Sequence, residues 1–522
     1  MSWWNPLNRP VLYRLLEILP AALSWTILIL CVVLAFIVPV WVAIFVVCFD
    51  LYWLIRVSYL TYHLVAGYRQ MNKNVKVDWL AKVRKIKKRN WSEYYHLVVF
   101  PVVMEVAVIE STFAALAKAN YPLDKFIVVL ACEDKFWSET GKVALEMKRR
   151  YAKVFRHFEI TRHPPGLPGE IPGKGSNEVW AVKHVKKYID QQKMPYEKIM
   201  VSVFDIDTQI NPEYFGRLAH AYLTHPRPER ASYQPIPTFN NNIWDAPSLV
   251  RVIATSTTFW QLMEQGRPER LVTFSSHSMS FKALVDVGFW ATDHVSEDSR
   301  IFWQCLLHYK GDYETVPLFF PVSMDACLTD TYRGSLVNQY KQQRRWAWGT
   351  ENLPYAIYNF IKQGKTFPLG PKLLYSWYLI DGAVSWATSA IIIAIVGWLP
   401  LLVGGEVYSD TVFAQSLPQV AQILMTFAMI GMIASMFVTL LVLPPRPKKY
   451  TTWRHLIMIF QWVLLPISTI FFGSFVALDA QTRLMLGKYM GFFLTPKARV
   501  QKTGKASVKA ETSVRKSLVD RT

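Results

Sequence analysis

Cysteine, acid and charge of any kind are scarce in this sequence. Five cysteines, Cys31, Cys48, Cys132, Cys305 and Cys327, lie scattered through 522 residues with no C-x-x-C spacing, which argues against a disulfide framework and against a structural zinc site. Charged residues make up 18% and hydrophobic residues 52%, a balance that excludes a disordered or fibrous chain and argues against a wholly soluble enzyme. Acids are the scarcer sign. Against 38 Asp and Glu stand 58 Lys and Arg, a net charge of +20, so the expected partners are anionic: nucleic acid, a lipid surface or a polyanionic small substrate. No nucleic-acid-binding module is recognisable, so nucleic acid is not expected. No internal repeat is visible, and a chain of this length is expected to hold about two to four structural units.

What the sequence has in abundance is long apolar runs. Residues 19–55 are almost continuously apolar; as one helix they would measure roughly 55 Å against a hydrocarbon core of about 30 Å, so two spans fit better. Pro39 and Trp41 suit a turn at the interface, placing the spans at residues 19–38 and 40–58. A cleavable signal would leave the second unexplained. Apolar segments return at 374–403, 420–443 and 455–476, each long enough to cross once. Between the last two lie Arg446, Lys448, Lys449 and Arg454, whereas the preceding connection carries Glu406 and Asp410 without a cation. The positive-inside rule then puts 444–454, the N-terminus and the region between the two sets of spans in the cytosol. A fifth complete span would place the basic tail, with Lys488, Lys497 and Arg499, outside; Pro466 and Gly473 suggest a broken last segment that keeps it inside. Ionisable groups within the spans are expected to be almost absent, Asp381 near a span edge being the exception.

Four regions follow: a two-helix membrane region at 1–66, a cytosolic domain at 67–372, a membrane region of about three helices at 373–480 and a basic tail at 481–522. Within the second, strand-length apolar runs at 95–102, 126–131, 154–160 and 199–204 alternate with helix-like segments at 106–119, 138–151 and 176–192. That alternation predicts an α/β domain with a parallel sheet.

The apolar run from Ile199 to Phe204 stops abruptly at Asp205-Ile-Asp207, as a buried parallel strand does when it emerges at its carboxyl end. On extended backbone two carboxylates at i and i+2 share a side, where a divalent cation bridging a diphosphate needs hard oxygen ligands; an aspartate turn closing a strand gives the same letters. Ser296-Glu-Asp298 precedes an apolar helical run, so Asp298 is either a catalytic carboxylate or a helix cap. Gln342, Arg345 and Trp346, at i, i+3 and i+4, share a helix face that could clamp a pyrophosphate and stack on a sugar, or sit on lipid head groups.

These three motifs, in this order inside a domain between membrane spans, resemble those of the family 2 membrane glycosyltransferases, which include cellulose and hyaluronan synthases. The resemblance covers about residues 95–350. It implies a GT-A, Rossmann-like cytosolic domain that inverts the anomeric centre of a nucleotide-diphosphate sugar, with UDP-sugar the expected donor. Asp205 would lie near the nucleotide, Asp207 on Mg²⁺ or Mn²⁺, and Asp298 would be the general base. Gln342, Arg345 and Trp346 would line pyrophosphate and acceptor. Lys174-Gly-Ser-Asn177 is similar to the family's K-A-G-N segment near the nucleotide, and Glu133 stands where the family usually has a nucleotide-contacting Asp. Departures are Cys132-Glu-Asp-Lys135 for D-D-G-S, Pro101-Val-Val-Met-Glu105 for P-x-Y-N-E, and Ser296 for Thr. The acceptor is expected to be a growing glycan, exported through the spans, or a lipid-linked acceptor; an accessory subunit is left open. The location implied is the plasma or inner membrane. The alternative reading is a transporter or nucleotide-sensing membrane protein without catalysis.

Other candidates are weaker. Asn240-Asn-Asn-Ile-Trp244-Asp and Phe274-Ser-Ser-His277 lie where an acceptor would pass but also suit an anchored loop and a structural histidine. Cys132 is expected to pack. Phe493-Leu-Thr-Pro-Lys497 is similar to a cellulose synthase gating-loop segment.

Overall fold

Apolar runs of strand length assemble an eight-stranded mixed sheet in a computed structural model that describes residues 9–491. The strands are β1 (Tyr95–Val102), β2 (Phe126–Glu133), β3 (His157–His163), β4 (Ile199–Val203), β5 (Gln209–Ile210), β6 (Ala231–Thr238), β7 (Ser278–Ser280) and β8 (Glu314–Ser323). Their spatial order is β3-β2-β1-β4-β7-β6-β8-β5. The first four are mutually parallel, and the sheet becomes mixed where β7 runs antiparallel to both β4 and β6. Alternate residues serve opposite faces. Val98, Phe100, Val128 and Met200 pack on the side of the helices Val106–Leu116 and Tyr214–Thr224. Leu97, Val99, Val129 and Val201 pack on the side of Lys174–Gln191 and Glu297–His308. Burial on both faces is why these strands read as unbroken apolar runs.

Because β2 lies on one side of β1 and β4 on the other, the order reverses there, opening a crevice beyond the carboxyl ends of the strands. Asp205 is two residues past β4.

Three of the four expected strands begin at the expected residue, and the third is displaced. It runs over His157–His163 rather than 154–160. Val154 and Phe155 belong to the turn after the helix Trp137–Tyr151, yet Phe155 is buried against Tyr151, Phe158 and Phe126. An apolar side chain packed from a turn carries the same hydrophobic signal as one in a strand.

Among the described residues five helices are long and apolar enough to cross a membrane: Val11–Ile37, Pro39–Val75, Leu369–Ala394, Val412–Val442 and Trp453–Met485. Pro39 opens the second helix after a break at Val38, as its fixed φ and missing N–H favour. That helix continues to Val75, beyond the expected end of the first membrane region. Its Gly67 lies where a Cβ would stand 2.6 Å from the Leu262 carbonyl oxygen, so only glycine lets it press onto the domain helix Ser248–Gln265. The last run holds a distorted turn at Pro466 and a π-helical turn at Ile470–Ser474 around Gly473, and stays 33 residues long. The near-absence of charge in the spans needs correction: Asp50 and Arg56 lie on Pro39–Val75, and Arg56 pairs with Asp381 at 3.2 Å, joining two of the candidate spans. The segment Phe493 to Lys497 lies outside the described residues.

Candidate active site

The chain leaves β4 in a tight turn, not in extended form, with the Thr208 N–H donating to the Asp205 carbonyl at 2.8 Å. This corrects the same-side expectation for the two aspartates, since the turn gives their carboxylates different partners. Asp205, about a quarter exposed, pairs with Lys174 Nζ at 3.1 Å and accepts from Ser275 Oγ at 3.2 Å. Asp207 is fully buried, and its Oδ2 accepts the Asp325 N–H at 2.8 Å. Asn241 Nδ2 donates to Asp325 Oδ1 at 2.8 Å and to the Asp207 carbonyl at 3.1 Å.

Lys174 begins the helix Lys174–Gln191 and is the centre of the site. Its Nζ lies 2.9 Å from both Asp298 oxygens, 3.1 Å from Asp205, 3.5 Å from Glu178 and 3.7 Å from Glu297. Gly175 permits this convergence: a Cβ there would meet the Ala291 carbonyl oxygen at 3.0 Å and the Glu297 side chain at 3.1 Å. Burial pulls the ammonium down, but Asp205, Asp298, Glu178 and Glu297 outweigh it and hold Lys174 well above its ordinary range. Burial, reinforced by the Asp298 charge, pushes the Glu297 carboxyl up to about 8, although Lys174 and Arg345 oppose the shift. Burial likewise raises Glu178 well above the usual carboxylate range.

His277 lines the same cluster. Its Nδ1 lies 3.2 Å from the Phe274 carbonyl and 3.6 Å from Asp298 Oδ1, while Nε2 accepts the Trp290 indole N–H at 3.3 Å. An acceptor role for Nε2 in the neutral ring places the proton on Nδ1, facing Asp298. Burial holds the imidazole down at about 4, so neutral is its resting form.

The helix Tyr332–Ala347 supplies the other wall. Trp346 packs against Phe239 and Phe274, with ring centroids 5.7 and 5.8 Å away, and Phe274 immediately precedes the Ser275 that holds Asp205. Arg345 is close enough for its charge to act on Glu297. Gln342 is buried and accepts from Gln339 Nε2 at 3.0 Å, while Arg344 turns away to Asp479 at 3.0 Å.

The other expected site residues stand further out or serve the framework. Asn177 Nδ2 donates to the Ala131 carbonyl at 2.8 Å, tying its helix to β2. Glu133, at the carboxyl end of β2, engages His163 at 3.1 Å. Asn242 locks the 240–246 loop to Ala326 through two hydrogen bonds, and Trp244 donates to the Pro444 carbonyl at 3.1 Å; this segment anchors a loop, as its composition also allowed. Cys132 is buried and its thiol is pushed up to about 12, which suits packing.

Among the described residues no group of three or more His, Cys, Asp or Glu is placed to hold a metal by itself. Magnesium and manganese sites on nucleotides commonly take one or two carboxylates and complete their shell with phosphate oxygens and water. Asp207, buried with Oδ2 on the Asp325 N–H, or the partly exposed Asp205 would supply the single carboxylate of such a cation.

Sequence reasoning missed Glu178 and Asp325, and took Ser275, within Phe274-Ser-Ser-His277, as part of the acceptor path without marking it as the partner of Asp205. Glu178 was open to detection as an i, i+4 partner of Lys174; Asp325 follows β8 without a local motif.

Residues 200–476, more than half of the chain, match the family model described as glycosyl transferase family group 2. No curated protein sequence matches significantly. Among solved structures, the mannosyltransferase PcManGT from Pyrobaculum calidifontis, in complex with GDP-Man and Mn²⁺, is similar at 14% identity and a TM-score of 0.41, covering 79% of this chain and 99% of its own. TarS from S. aureus, in complex with UDP-GlcNAc, is similar at 12% identity and a TM-score of 0.33, covering 62% of this chain and 92% of its own.

Proposed function

Because the chain belongs to glycosyl transferase family group 2, we propose that it is an inverting membrane glycosyltransferase that moves sugar from a cytosolic UDP-sugar onto a growing glycan. The observation that carries this reading is the Lys174 ammonium bonded at once to Asp298 and Asp205. It joins the end of β4 to the first turn of Glu297–His308, beyond the carboxyl edge of the sheet.

In this reading Asp298 accepts the proton of the acceptor hydroxyl as that oxygen attacks the anomeric carbon from the face opposite the diphosphate. The carbon–oxygen bond to the diphosphate breaks, and its electron pair leaves with the nucleoside diphosphate. Arg345 neutralises part of that charge. A divalent cation on Asp207 would supply further positive charge to the diphosphate. The neutral His277, with Nδ1–H toward Asp298, and Lys174 orient the base. Trp346, braced by Phe239 and Phe274, offers an aromatic face to a sugar. Glycan export is supported by the Gln342, Arg345 and Trp346 face and the five apolar helices.

The test is release of UDP from a panel of UDP-sugars by the detergent-purified chain with Mg²⁺ or Mn²⁺, followed by mass spectrometry of the product. Asp207→Asn is expected to lower turnover about 100-fold or more and to abolish the metal dependence of UDP affinity; a variant with unchanged metal response would remove Asp207 from this role. Trp346→Ala should raise the KM for acceptor about 2- to 10-fold, the scale of one aromatic contact, with UDP affinity retained. An equal loss of UDP binding would move Trp346 to the donor side.

A further inference from the structure

We infer that Glu351 is a positioning residue that sets the base-bearing turn against the helix carrying Gln342, Arg345 and Trp346. The inference rests on the reading of Asp298 as the base.

Ser296 occupies the cap position of Glu297–His308, where a serine hydroxyl ordinarily accepts from its own helix. Here it makes no such bond. Its Oγ donates instead to Glu351 Oε1 at 2.5 Å. The second oxygen, Oε2, accepts the Trp348 indole N–H at 2.8 Å. Trp348 follows directly on Tyr332–Ala347 and is almost completely buried, so its ring reports the placement of that helix. One carboxylate therefore holds both walls of the site by two different oxygens, each through a charge-assisted hydrogen bond.

The neighbouring contacts reinforce the grip. Arg300 donates to the Glu351 carbonyl at 3.2 Å, and Asn352 Nδ2 donates to Ser299 Oγ at 2.8 Å. Glu351 does not touch the Lys174 cluster and lies among none of its hydrogen-bonding partners. Its effect on the reaction is exerted through Ser296, two residues before Asp298, and through Trp348, two residues after Trp346.

Three full-length variants in detergent test this: Glu351→Ala, Glu351→Gln and Ser296→Ala, with Asp298→Asn alongside. The readouts are kcat and KM for UDP release and hydrogen–deuterium exchange of peptides spanning 293–301 and 344–351. Glutamine keeps an oxygen for Trp348 and can pair with the serine hydroxyl through its amide, so it is expected within about 3-fold of the parent in kcat. Glu351→Ala should lose about 10- to 100-fold in kcat, KM moving less than 2-fold, with faster exchange in both peptides and unchanged exchange in β4. Ser296→Ala should lose less, and only the first peptide should exchange faster. A kcat for Glu351→Ala equal to the parent's, while Asp298→Asn is inactive, overturns the inference and leaves the base assignment standing. If Asp298→Asn is active, the base assignment fails, and the exchange pattern alone decides whether Glu351 couples the two walls. Should the alanine variant not fold, an equal kcat loss in Glu351→Gln would overturn it, and a parent-like glutamine variant beside a slowed Ser296→Ala would sustain it.

Discussion

Asp298→Asn is expected to cut kcat for UDP-sugar turnover about 100- to 10,000-fold, the range that a positioned general base contributes, with UDP affinity changed only a few-fold. The substitution preserves volume and replaces the basic carboxylate that takes the acceptor proton by a non-basic amide. It also turns an amide donor toward Lys174, which now bonds both carboxylate oxygens at 2.9 Å, so that ammonium should draw closer to Asp205 and Glu178. Nucleotide binding survives because the groups read as holding diphosphate, Arg345 and Asp207, are untouched. Initial-rate measurements beside UDP titration separate the two effects. A variant retaining a tenth or more of parental kcat would show that another group takes the proton.

The second large effect is on folding. Lys174→Met leaves Asp205, Asp298, Glu178 and Glu297 converging on a methionine, and removing one partner of a buried charge cluster costs about 3–5 kcal/mol. The loss should depend on pH. Glu297 already titrates near 8 with Lys174 present, against 4.5 unperturbed, and without the ammonium it rises further. An acid whose folded value lies above its unfolded one contributes stability that is complete below the unfolded value and is lost as pH rises through the folded one. Up to about pH 8 Glu297 is protonated in folded parent and variant alike and leaves the gap unchanged, whereas above it the parent's carboxyl ionises and the variant's stays protonated, so the variant's deficit should widen from pH 7 to pH 9. Thermal unfolding at both values checks this, and an equal deficit at each would contradict it.

What could be read from the chain and what could not divides along sequence distance. β1, β2 and β4 were legible because double-sided burial leaves an unmistakable apolar run. The Asp205 to Asp207, Asp298 and Trp346 motifs were legible because each is a few residues long. The contacts that organise them were not. Lys174 meets Asp298 across 124 positions, Asn241 meets Asp325 across 84, and Ser296 meets Glu351 across 55. No local pattern marks these, because the sheet order and helix packing that bring them together are properties of the whole domain. The displaced β3 has the opposite cause: Val154 and Phe155 are apolar for packing reasons that a turn satisfies as well as a strand. Asp50 and Arg56 were present in plain view, and the run of apolar neighbours hid them.

The unbroken helix Pro39–Val75 has 37 residues, about 55 Å of rod. A bilayer's hydrocarbon would take up about 30 Å of it, leaving a stilt of about 25 Å with Gly67 welded to the catalytic domain near its top. Such a stilt, with the Arg344–Asp479 pair at 3.0 Å tying the opposite wall of the cleft to the last candidate span, would hold the cleft at one height beside the apolar helices, where a growing acceptor would be met after every addition.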